Sequence, residues 1–129
     1  MKQYRIVEAY EVIKGFSRLN FRIKDAYAIY QLLEELKPAV IFQIEQERDL
    51  FEQNNIQLGS DGSIIFSDNL SDEDKRHVLN IVQARINELR EFDNKIEFHP
   101  ITLSYCALDN VRISPENIKT LSGFITFTE

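Results

Sequence analysis

The chain has 129 residues, of which 43% are hydrophobic and 28% are charged, and its formal net charge is −6. A chain of this length fits one domain, which buries roughly two-thirds of the surface exposed by the unfolded form. The composition excludes a disordered or low-complexity protein, and the longest apolar run, residues 39–42, is far shorter than the roughly 20 residues of a membrane-spanning helix.

Apolar residues at helical spacing predict a first helix, with Ile6, Tyr10, Ile13 and Phe16 on one face and its end near residue 15 or just beyond. Positive charge is concentrated around this segment. Residues 1–24 hold six Lys or Arg against two Glu, whereas the remainder holds nine against nineteen acidic residues.

A candidate basic patch follows from this asymmetry and consists of Lys14, Arg18, Arg22 and Lys24. One interpretation is structural, because cations near the end of a helix complement its dipole. The other is a surface for an acidic partner or a nucleic-acid backbone. Duplex binding is disfavoured, since the acidic remainder of the chain repels phosphate.

A second helix is predicted from Ala26 toward Gln53, with Asp25 as its N-cap. Pro38 lies inside it. Proline removes a backbone hydrogen bond and clashes with the preceding turn, so we expect a kink or a break into two segments. The residues after Pro38 are apolar on several sides, and we expect this portion to be buried on several sides.

A β-hairpin is predicted over residues 55–66, because Asp61-Gly62 provides a tight turn between short apolar runs. Ser71 precedes three acidic residues and is therefore a strong N-cap for a third helix, which should run to about Phe92. The segment 25–92 is then an antiparallel helical hairpin with a β-hairpin between its helices.

The last part of the chain, residues 95–129, is predicted to form a small β unit with one short helix. Residues 95–105 alternate like a strand, with Pro100 indicating an edge position or a bulge. Ser114-Pro115 begins the short helix, and residues 124–127 form a last strand that could pair with the strand before it.

Few residues point to chemistry. The two histidines, His77 and His99, are far apart in the sequence and lie in no zinc-binding pattern, and the acidic run 45–52 is best interpreted as a solvated face. No phosphate-binding glycine loop or nucleophile motif is present. Cys106 lies in an apolar stretch and is predicted to be a buried structural thiol. We therefore expect no catalytic residues, cofactor or metal.

Candidate interface residues come from the second helix and its margin. Tyrosine at the edge of an apolar face suits an interface, because it brings both contact area and a hydroxyl group. The residues concerned are Tyr27, Tyr30, Val40, Ile41, Phe42 and Ile44.

The order of these signals resembles a family of small uncharacterised proteins of tailed phages and prophages. The resemblance consists of the kinked helix with Pro38, the acidic run 46–50, the glycine turn, the second amphipathic helix, and the segments 95–98 and 113–115. It implies a phage context and carries over no functional residues. The helix–hairpin–helix core also resembles prefoldin-type subunits, although those have longer uninterrupted heptads than Pro38 permits.

The sequence therefore predicts a single domain over residues 1–129 with an α+β, helix-dominated fold. We expect a non-enzymatic interaction or assembly component that forms a homo-oligomer, in the bacterial cytoplasm or associated with a virion, with no membrane contact. The alternative is a small phage-encoded inhibitor or regulator that binds a host protein.

Overall fold

The computed structural model describes residues 1–108 and 113–129, which form an α+β, helix-dominated fold as predicted. About 60% of the described residues are helical, and they form four α-helices and two sheets of two strands each. The elements in chain order are α1 (Gln3–Phe16), α2 (Ile23–Gln53), β1 (Ile56–Leu58), β2 (Ile64–Phe66), α3 (Asp72–Glu91), β3 (Ile101–Ser104), a 3-10 turn (Tyr105–Leu108), α4 (Pro115–Thr120) and β4 (Ile125–Thr128).

The chain divides into two compact units. Unit 1 comprises residues 1–40 and 93–129, and unit 2 comprises residues 41–92. The predicted helical hairpin, residues 25–92, therefore draws on both units, because the first half of α2 belongs to unit 1.

Unit 1 contains the hydrophobic core. Residues of α1 at spacings of three and four bury one face of that helix against the first half of α2 and the C-terminal elements. The core members are Ile6, Ala9, Ile13, Phe16, Ile29, Leu32, Leu36, Ala39, Leu103, Leu121, Phe124 and Ile125. Three of the residues predicted to mark the face of α1 are fully or nearly fully buried, and Tyr10 packs at the margin.

The strands of unit 1 pair in parallel, from Ile101 opposite Ile125 to Ser104 opposite Thr128. The connecting helix α4 begins as predicted, since the Ser114 hydroxyl accepts a hydrogen bond from the Asn117 N–H at 3.1 Å. The prediction of a strand over the whole of 95–105 was wrong, because regular pairing covers only β3.

Two backbone N–H groups that would pair with a neighbouring strand in a longer β3 donate hydrogen bonds to side chains instead. The Asn94 side chain accepts a hydrogen bond from the Ile96 N–H, and the Glu35 carboxylate accepts one from the His99 N–H. Pro100 has no N–H to offer. Strand pairing consequently begins at Ile101.

Helix α2 is continuous across Pro38, so the predicted break was wrong. The helix also begins earlier than predicted, which places Asp25 in its first turn and not at the N-cap. Leu36 and Ala39 are buried and hold the helix on both sides of the proline, while Pro38 itself is exposed. Water can therefore hydrate the carbonyl of Glu34, which loses its helical donor.

Unit 2 follows the local predictions closely. Strands β1 and β2 pair antiparallel, and Gly62 in the turn has φ +82°, a conformation that glycine adopts without strain. Ser71 caps α3, because its hydroxyl accepts a hydrogen bond from the Asp74 N–H at 3.2 Å. Two hydrophobic side chains of this unit, Ile56 and Val82, are buried.

Cys106 is exposed, which corrects its prediction as a buried thiol. It lies in the 3-10 turn after β3 and not within a strand, and its N–H donates to the Ser104 hydroxyl at 3.2 Å. Among the described residues, no helix has the length and apolar character needed to cross a membrane.

Candidate interaction surface

A groove of about 810 Å³ runs between the unit 2 part of α2 and helix α3. Its apolar lining consists of Phe42 and Leu50 from α2 and of Ile81, Leu89 and Phe92 from α3 and its C-cap. Phe42 and Leu50 are eight residues apart, as are Ile81 and Leu89, so each helix presents one stripe to the groove. We call these five side chains the apolar groove.

Aromatic rings meet at one end of the apolar groove. The ring centroids of Phe42 and Phe92 are 6.2 Å apart, and the ring planes are tilted by 40°. Phe42 is nevertheless 39% exposed and Phe92 49% exposed. The pair therefore orders this end of the groove while leaving apolar area in contact with water.

Charged residues line the rim of the apolar groove. Asp49 comes from α2, whereas Arg85 and Glu88 come from α3, where their side chains form an ion pair of 3.5 Å. Both partners of this ion pair are well exposed, so it contributes about 0–1 kcal/mol. The charged residues of the lining are exposed, and the described residues contain no group of three potential metal ligands.

A second depression, of about 550 Å³, lies between the end of α2 and strand β1. Its lining includes Ile44, Phe51 and Leu58, and the first and last of these are more than half exposed. Unit 2 thus exposes apolar side chains on more than one face.

The predicted interface residues fall in both units. Ile41, Phe42 and Ile44 are exposed in unit 2. Val40, which belongs to unit 1, is only 7% exposed and adds little to the surface. The predicted set was drawn from α2 and its margin, so it did not include the groove residues of α3 and its C-cap, among them Ile81 and Phe92.

Tyr27 and Tyr30 belong to unit 1 and form a separate aromatic surface. Their rings stack with centroids 6.4 Å apart, and both side chains are more than half exposed. The Gln31 amide donates a hydrogen bond to the Tyr27 hydroxyl at 3.1 Å.

The four residues of the predicted basic patch are all exposed. Lys14 lies in the last turn of α1, where a cation complements the helix dipole, and its ammonium is 5.8 Å from the centre of the Tyr10 ring. Lys24 lies in the first turn of α2, where the same dipole disfavours a cation. The structural interpretation therefore accounts for Lys14 but not for Lys24.

The histidines occupy unrelated positions. His77 is an exposed residue of α3, whereas His99 contacts Glu35, with 2.9 Å between its Nδ1 atom and the Glu35 Oε1 atom. Hydrogen bonds from the ring and the backbone N–H of His99 hold the pKa of the Glu35 carboxyl below its ordinary value of 4.5.

This contact makes the stability of unit 1 dependent on pH. A carboxyl group with a lowered folded-state pKa stabilises the fold fully above its unfolded-state pKa, and the effect is lost as the pH falls through the folded-state value. We expect Glu35→Gln to flatten the loss of stability below pH 4.5. Urea denaturation at a series of pH values measures the effect, with Glu34→Gln at the exposed neighbouring position as the control. Equal pH profiles for the two variants would contradict the prediction.

No protein-family model, curated protein or solved structure matches the chain in comparisons with known proteins.

Proposed function

We propose that the protein is a non-enzymatic assembly component that associates with further copies of itself through the apolar groove of unit 2. The observation that carries this proposal is the unequal distribution of buried and exposed apolar residues. Of the fifteen buried hydrophobic residues in the described part of the chain, thirteen belong to unit 1. Of the fourteen exposed large hydrophobic residues there, eight belong to unit 2.

A unit of 52 residues with two buried hydrophobic side chains has little core of its own. Burial of further apolar surface is therefore the main stabilisation open to it. Half-exposed large side chains offer on the order of 100 Å² each, so Phe42, Ile81 and Phe92 supply about 300 Å² of apolar area to an interface in which each partner buries roughly 800 Å².

A second copy of the chain suits this surface electrostatically. The acidic residues of unit 2 favour a partner with positive charge, and the chain itself carries a net charge of +4 over residues 1–24. The resemblance to small proteins of tailed phages implies a phage context for this role.

The test of the proposal is the solution mass, measured by size-exclusion chromatography with light scattering over about a hundredfold range of concentration. We expect the wild type to form oligomers and the double variant Phe42→Ser, Ile81→Ser to dissociate with a Kd raised roughly 10- to 50-fold. Full burial of such a side chain contributes roughly 1.5–3 kcal/mol, and about two-fifths of each remains exposed for burial in the interface.

Ile64→Ser with Ile65→Ser is the matched control. These residues have exposures of 45% and 48%, against 39% and 43% for Phe42 and Ile81, but they lie outside the groove. Circular dichroism verifies that both variants remain folded. A monomeric wild type, or equal effects of the two double variants, would overturn the proposal and favour the alternative of a monomer that binds a host protein.

A further inference from the structure

The net charge of the chain is located in unit 2. Residues 41–92 contain eleven acidic and five basic residues, which gives −6, the formal net charge of the whole chain. Unit 1 is therefore neutral overall. Two copies of unit 2 placed face to face would repel each other, because like charges across an interface oppose association.

Positive charge in unit 1 is concentrated where α1 is followed by α2. Arg18, Arg22 and Lys24 are exposed there, together with the apolar side chains of Leu19 and Ile23. We call these five residues the basic corner. Lys14 precedes them in the last turn of α1, and the nearest acidic residues in the sequence are Glu11 and the half-buried Asp25.

Ile23 is the most exposed large hydrophobic residue in the described part of the chain, at 90%, and Leu19 is 44% exposed. Burial of such side chains is favourable, and it requires an apolar surface on the partner. The basic corner thus combines cations with protruding aliphatic groups. The apolar groove combines aromatic and aliphatic groups with two acidic residues and one basic residue at its rim, and it lies in the unit that carries the net negative charge.

We infer that the basic corner of one copy docks in the apolar groove of the next copy, so that the chain assembles head to tail. This inference rests on the proposed function and adds the identity of the surface that fills the groove. Leu19 and Ile23 supply apolar area to the groove, while Arg18, Arg22 and Lys24 face the acidic residues of unit 2, among them Asp49 and Glu88 at the rim.

A head-to-tail contact has a consequence that a symmetric one lacks. In a head-to-tail pair, one copy keeps an unused basic corner and the other keeps an unused apolar groove. Further copies can therefore bind until a ring closes or a filament grows. A symmetric contact between two grooves would instead stop at the dimer. The two arrangements also differ in salt dependence, because screening weakens contacts between opposite charges and strengthens contacts between like charges.

Two variants with one damaged surface each provide the test. The corner variant carries Arg18→Glu and Arg22→Glu, and the groove variant carries Phe42→Ser and Ile81→Ser. Each is expected to be monomeric alone. When they are mixed, the intact groove of the first binds the intact corner of the second, and a 1:1 complex of twice 15.1 kDa should form and grow no further.

The control for charge is Lys95→Glu with Lys119→Glu, which makes the same change in net charge at exposed positions outside the corner. It should assemble like the wild type. The milder pair Arg18→Gln, Arg22→Gln should weaken assembly by a smaller factor than the charge reversal, and raised salt should weaken assembly of the wild type.

The outcomes separate this inference from the proposed function. A corner variant that assembles like the wild type, beside a monomeric groove variant, would overturn head-to-tail docking and leave self-association intact. Stronger assembly at high salt, or no complex in the mixture, would also overturn it. A groove variant with the wild-type mass would overturn the proposed function itself.

Discussion

Replacing Phe124 by alanine is expected to lower the free energy of unfolding by ~3–5 kcal/mol. Phe124 is fully buried in unit 1, and its ring stacks on that of Phe98 with the centroids 5.0 Å apart and the planes within 13°. Truncation removes the transfer free energy of the ring and leaves a cavity between Phe98 and its neighbours. Urea denaturation followed by circular dichroism measures the change.

Phe42→Ala is the matched control for this prediction, since it is the same substitution in unit 2. Phe42 is 39% exposed, so its removal should change the free energy of unfolding of the monomer far less while weakening self-association. Phe124→Leu should be much less destabilising than Phe124→Ala, because the leucine side chain fills much of the volume of the phenylalanine ring. If Phe42→Ala destabilised the monomer as much as Phe124→Ala, the prediction would be contradicted, and Phe42 would have to contribute to a core in unit 2.

Elements specified by neighbouring residues could be predicted from the sequence. The hairpin turn at Gly62 and the caps at Ser71 and Ser114 each depend on one side chain and on backbone groups within a few residues. Such local geometry operates in much the same way in any fold, so the sequence pattern is enough to place it.

The predictions that were wrong concern segments in which contacts with distant parts of the chain outweighed the secondary-structure preference of the local sequence. Pro38 was expected to kink α2 or break it into two segments, and the break does not occur, because burial of residues on both sides of it in unit 1 keeps the helix continuous. Likewise, the segment before Ile101 has the alternation of a strand. The N–H of His99 nevertheless donates a hydrogen bond to Glu35 of α2, which lies more than sixty residues earlier in the chain.

The candidate interaction surface shows the same limit. The cap at Ser71 was enough to locate α3, but nothing in the sequence singled out Ile81 and Phe92 as interface residues. They become significant only when α2 and α3 leave a groove between them, which is a property of their spacing in space and not of either helix alone.

Gln3 is the residue least accessible to sequence reasoning, and its replacement is the second substitution with a large expected effect. It stands in a polar N-terminal segment, yet its side chain is fully buried. Its amide donates a hydrogen bond to the Ala39 carbonyl at 2.8 Å, and its side-chain oxygen accepts one from the Asn94 amide, also at 2.8 Å. One side chain therefore joins the start of α1, the middle of α2 and the segment that follows α3.

We expect Gln3→Met to lower the free energy of unfolding by about 1–3 kcal/mol, because the substitution keeps the length of the side chain but leaves buried hydrogen-bonding groups without this partner. Gln31→Met, at an exposed glutamine of α2, should stay within about 0.5 kcal/mol of the wild type. A double-mutant cycle with Asn94→Ala isolates the Gln3–Asn94 bond, and a coupling energy of at least about 0.5 kcal/mol is expected for groups in direct contact. Additive effects of the two substitutions would mean that the Gln3–Asn94 hydrogen bond contributes no net stability, and the effect of Gln3→Met would then come from the bond to the Ala39 carbonyl and from packing.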